Sequence, residues 1–125
     1  MSYDLMVFKT EAAPKNKSAF MNWYHQQTQW QEEHGYNNPD VTTPELRSWM
    51  LEMIETFPAM NGPYASSENE DEDHTADYNI GREIIYVTFS WDDMEDAYET
   101  TRRLALKHKV GFFDVSADDG EVIFP

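Results

Sequence analysis

The chain has no cysteine, only nine basic residues, only five glycines and no long apolar run in 125 residues. Each shortage excludes something. Without thiols there is no disulfide to staple the fold, no thiol nucleophile and no thiolate metal ligand. Nine Lys and Arg against 24 Asp and Glu leave a net charge of −15, so a phosphate-binding surface for nucleic acid is not expected. There is no phosphate-cradling glycine loop and no G-x-S-x-G elbow. The apolar runs are too short to cross a bilayer, and an acidic surface is repelled by anionic membranes. The opening MSYDLMVFKTEAAP lacks the basic start and apolar stretch of a signal peptide, so a cytoplasmic location is expected.

What remains is an acidic but aromatic chain. Aromatics make up 14 % and include four tryptophans, whereas disordered acidic chains are poor in them. One domain over residues 1–125 is expected, large enough to bury roughly two thirds of its unfolded surface. YDLMVF reads as a central strand, apolar on both faces. Phe20, Trp23, Gln27, Trp30 and His34 fall at helical spacing, with Gly35 as the closing residue. Thr43-Pro44 opens a second helix, whose stripe is Leu46, Trp49, Met50, Met53, Ile54 and Phe57 before Pro58. Residues 61–76 are expected to form an acidic flexible loop. DYNI and EIIYVTFS then form a hairpin, with Ile85, Val87 and Phe89 on one side and Ile84, Tyr86 and Thr88 on the other. Ser90 caps a third helix with a stripe through Met94, Ala97, Tyr98, Thr101, Leu104, Ala105 and His108. VGFFDVS and EVIFP close the chain as a hairpin around Asp119-Gly120.

The resulting order is β-α-α-β-β-α-β-β. The expected class is α+β, a mainly antiparallel sheet with helices on one face. Removing the second helix and the last strand leaves a repeated split β-α-β unit, so the fold is expected to be a ferredoxin-like variant.

The chemistry is sparse. Asp71, Asp73, Thr75 and Asp77 share the two-residue spacing of a calcium loop, but Ala76 stands where glycine is needed and Arg82 where the closing glutamate is needed. No metal and no cofactor are expected. His25, His34, His74 and His108 show no paired spacing, and no catalytic constellation is found. The third helix begins with Asp92, Asp93, Glu95 and Asp96 and ends with Arg102, Arg103, Lys107 and Lys109, the charge order the helix dipole favours. For Trp23, Trp30, Trp49 and Trp91 the default expectation is core use. Trp30 also has polar neighbours that suit an interface anchor. Met50, Met53 and Met60 are expected to fill the core.

At HGYNNPDVTTPELRSWM, FPAMNGP and VGFFDVSADDGEVIFP the chain resembles a group of short, acidic bacterial proteins of uncharacterised function. By size, charge and α+β build it also resembles immunity proteins of interbacterial toxin systems. That resemblance implies a protein-binding inhibitor, an immunity-type antitoxin that occludes a basic partner. Charge supports such steering. The expected contact residues are Glu68, Glu70, Asp71, Glu72 and Asp73 in the loop, Asp92 and Glu95 on the third helix, and Asp118, Asp119 and Glu121 in the last turn. Trp30 or Tyr64 would be the apolar anchor. Two alternatives stand beside this reading. One is a small ligand-binding or enzymatic domain with a pocket lined by Tyr3, Tyr78 and Tyr86. The other is a nucleic-acid mimic or a homodimeric structural module.

Overall fold

A computed structural model describes residues 2–30, 36, 38–60, 75–117 and 120–125. β1 (Ser2–Phe8) is followed by α1 (Lys17–Gln27) and α2 (Pro44–Met53), then by β2 (Ala76–Ile80), β3 (Ile84–Ser90), α3 (Met94–His108), β4 (Gly111–Phe113) and β5 (Val122–Ile123). The five strands form one antiparallel sheet in the order β2-β3-β1-β4-β5. The α+β class and the order of elements are those the sequence indicates.

β1 runs through the middle because both its faces are apolar. Tyr3, Leu5 and Val7 join Ile85, Val87, Phe89 and Phe112 in one cluster under α2 and α3. Met6 and Phe8 join Ile84 and Phe113 in a second cluster, which α1 covers with Phe20, Met21, Trp23 and Tyr24. The helices therefore do not all lie on one face, as expected from the sequence; α2 and α3 share a face and α1 takes the other. The physical reason is the second apolar side of β1, which needs a cover of its own. It follows that the helix added to the split β-α-β scheme is α1 rather than the second helix. Without α1 and β5, the remaining strand order β2-β3-β1-β4 is that of the repeated unit.

Local signals set the helix ends. The Asn16 side chain accepts from the Ala19 N–H, and the Thr43 hydroxyl accepts from the Leu46 N–H. α1 stops at Gln27, short of the expected His34. Its last carbonyls are taken by nearby side chains: Thr28 Oγ1 donates to Tyr24 O at 3.0 Å and Gln29 Nε2 to His25 O at 3.1 Å. Trp30 then turns left-handed at φ 55°. The apolar stripe of α2 is buried as expected, with Leu46, Trp49 and Met53 fully enclosed. Met60, expected in the core, is exposed. It lies past Pro58, where the chain runs parallel to the start of β2, so that Met60 N donates to Ala76 O and Ala76 N to Pro58 O, each at 2.9 Å. Ala76, expected as the end of the loop, opens β2; residues 61–74 of that loop lie outside the described residues.

Candidate partner-binding surface

The third helix positions the candidate site. Ser90 Oγ accepts from Asp92 N as the chain leaves β3, and a single tight turn over Trp91–Asp93 leads into α3. α3 buries Ala97, Thr101, Leu104 and Ala105 toward the sheet. The row beside that stripe, Met94, Tyr98 and Arg102, faces Tyr3 at the start of β1. The next row, Glu95, Glu99 and Arg103, forms the rim. Together they line a groove of about 570 Å³.

Trp91 is not part of the groove lining but packs against one of its lining residues, Tyr3; 44 % of its surface is exposed, and it is the largest exposed aromatic among the described residues. Its ring meets Tyr3 edge-on, with centroids 5.5 Å apart and planes at 82°. The expectation of core use is thus met at Trp49, which is fully buried, and not at Trp91. Tyr98 packs edge-on against Phe112 and donates its hydroxyl to Glu121 Oε1 at 2.6 Å. Behind it Asp114 pairs across the last hairpin, its N–H donating to Glu121 O at 2.9 Å. The Asp114 side chain is more than nine tenths buried, and its Oδ1 has no hydrogen-bond partner among the described residues.

These groups form one electrostatic unit. Burial raises the Asp114 carboxyl above the ordinary aspartate range, and the Glu121 charge raises it further against the backbone N–H groups of Ala117 and Ser116. Burial, then Asp114, Tyr98 and Glu121, hold the Tyr3 phenol well above its usual range. The Glu121 hydrogen bond does the same for Tyr98, with burial second. Both phenols are therefore neutral donors at physiological pH.

The expected contact residues separate. Asp92 and Glu95 are exposed on this surface, and Glu121 is tied to it through Tyr98. Trp30 lies on the opposite sheet face, half-buried and edge-on to Tyr36 and Tyr86. Tyr64, Glu68, Glu70, Asp71, Glu72, Asp73, Asp118 and Asp119 lie outside the described residues. The three tyrosines of the pocket alternative do not converge. Tyr3 lines the groove, Tyr78 is buried and donates to Phe57 O at 2.7 Å, and Tyr86 is on the α1 face, donating to Asp4 Oδ2 at 2.5 Å. The sequence reading missed Trp91, whose signal was its place at the head of the acidic run WDDMED.

Two further cavities are of mixed charge. One of about 470 Å³ carries Lys9 and Lys109 beside Glu11 and Glu45; another of about 490 Å³ carries Lys15 and Lys17 beside Glu121. Among the described residues no group of three or more His, Asp or Glu is placed to hold a metal ion, and no helix is long and apolar enough to cross a membrane. Comparison with protein-family models, curated proteins and solved structures gives no significant match.

Proposed function

We propose that this protein is a protein-binding inhibitor of the immunity type, which docks a basic partner through Trp91 and the N-terminal half of α3. The observation that carries this reading is the exposed Trp91 ring, braced by Tyr3 beside a groove and flanked by Asp92, Glu95 and Asp96. An indole held rigid against a neighbour is a good interface anchor, because little conformational freedom is lost when it is covered. The carboxylates around it steer a cationic surface into register, and the −15 net charge extends that attraction to long range. Glu68, Glu70, Asp71, Glu72 and Asp73 and the last-turn Asp118 and Asp119 belong to this proposal through their charge.

The test is a capture experiment followed by kinetics. A basic protein retained by the wild type at physiological salt should be lost by Trp91→Ala. It should associate more slowly, with weaker salt dependence, with a triple variant carrying Asp92→Asn, Glu95→Gln and Asp96→Asn. Rim charges act on the on-rate, and their reach at physiological ionic strength is about 8 Å. Unchanged association in both variants moves the interface elsewhere.

A second reading is favoured by the groove itself, whose volume suits a small ligand. In that case the bound molecule, rather than a protein, would cover Tyr3 and Tyr98.

A further inference from the structure

We infer that the groove between Tyr3 and α3 is a receptor for one cationic side chain, an arginine or lysine presented by the docking partner. The inference rests on the proposed docking of a basic protein for the source of the cation, but the groove itself is testable without that partner.

Three features point to this occupant. The floor is made of Tyr3, Met94 and Tyr98, aromatic and thioether surface that accepts the alkyl stem of such a side chain and stabilises its charge over a ring. Charge along the groove is divided. Glu95 and Glu99 on the rim are matched in number by Arg102 and Arg103, while Glu121 and Asp114 add negative charge behind Tyr98, with Lys15 and Lys17 beyond Glu121. Both arginines sit at the C-terminal end of the groove, a helical turn beyond Tyr98. Their repulsion confines an incoming cation to the half lined by Met94 and Glu95. The third feature is independent of the rim. Asp114 is buried, its Oδ1 has no hydrogen-bond partner among the described residues, the backbone N–H groups of Ala117 and Ser116 are its only stabilising contacts there, and its charge is felt at both phenols of the floor. A buried carboxylate without a counter-charge is costly, and a cation seated on the other side of those phenols offsets that cost.

The volume agrees. A groove of about 570 Å³ takes one long side chain with water around it, and not a folded segment.

The probe is N-acetyl-L-arginine methylamide, with the corresponding citrulline compound as its uncharged isostere, each titrated into the protein and followed by amide and side-chain NMR. The arginine compound should give saturable shifts at Tyr3, Trp91, Glu95 and Tyr98. The citrulline compound should bind about tenfold more weakly, the discrimination a partly desolvated cation–ring contact provides. Glu95→Gln combined with Asp114→Asn should remove most of that discrimination, and Met94→Trp, which fills the groove, should abolish the shifts in a protein whose spectrum is otherwise native. Equal responses to the two compounds, or shifts that cluster elsewhere, overturn the inference. The partner separates it from the docking reading. A basic protein that binds Met94→Trp as tightly as wild type sinks the groove and leaves the docking surface standing. Arginine-selective shifts in a protein that captures no basic partner support the groove and sink the docking.

Discussion

Trp49 Nε1 on α2 donates to the carbonyl oxygen of Thr101 on α3 at 3.3 Å. The indole is fully buried, and its ring stands edge-on to Tyr78 of β2 at 6.3 Å. One side chain thus joins both helices of that face to the sheet. Trp49→Ala should cost about 3–5 kcal/mol, the loss usual for emptying a large core site. A urea titration measures it, and a loss below about 1 kcal/mol is incompatible with this burial.

Gly111 of β4 pairs with Phe8 of β1, and the Phe8 ring lies directly over the glycine. A methyl group at Gly111 would occupy the space of that ring. Phe8 is itself enclosed by Phe20, Trp23 and Phe124, so it has nowhere to move cheaply. Gly111→Ala should destabilise by roughly 1–3 kcal/mol, as overpacking of a filled core does. Thermal unfolding at neutral pH gives the comparison; a neutral outcome would show that the ring can slide.

Asp114 predicts the direction of a pH effect. Its carboxyl titrates higher in the folded state than in the unfolded chain, so over that interval the folded state holds the extra proton. Its contribution to stability is therefore greatest below the ordinary aspartate range and is lost as the pH rises through the raised value. Asp114→Asn should flatten this slope and gain stability relative to wild type as the pH rises. Chemical unfolding at a series of pH values reads it; parallel curves for the two proteins would contradict the assignment.

Glu52 of α2 has the opposite sign. Lys107 Nζ of α3 donates to its Oε2 and His108 Nε2 of α3 meets its Oε1, each at 2.9 Å, and these hydrogen bonds hold its carboxyl below the usual glutamate range. Its contribution is present above the unfolded value and is lost as the pH falls through the lowered one. Because the carboxylate is open to solvent, Glu52→Gln should lower the Tm only slightly, and roughly 1 M salt should erase the difference. A large, salt-resistant drop in Tm would mean that the α2–α3 bridge is shielded from water.

How far the sequence can be read shows in β1 and α1. Tyr3 to Phe8 already has two apolar faces, which places β1 in the sheet centre. The same observation requires a cover on each face, yet helical periodicity alone does not say which helix supplies it. In α2 the spacing from Leu46 to Phe57 maps directly onto burial, because periodicity and packing agree. In α1 they part. Trp30 keeps helical spacing with Trp23, but local hydrogen bonds from Thr28 and Gln29 and the contacts with Tyr36 and Tyr86 take it out of the helix. The candidate site was legible only as charge. Asp92 and Glu95 stand out in the sequence; the bracing of Trp91 by Tyr3 depends on residues 88 positions apart meeting across a sheet end, which no local pattern encodes.

The margins of the sheet have a consequence for how this molecule meets others. At one edge, the outer side of β2 already exchanges backbone hydrogen bonds with Pro58 and Met60 at its start and with Tyr36 at its end; at the other, β5 is two residues long. Among the described residues, little unpaired main chain is left at these edges on which a foreign strand could grow. These two edges should thus resist templated stacking into fibrils, and the docking proposed above would fall to side chains, where specificity can be tuned one residue at a time without disturbing the scaffold.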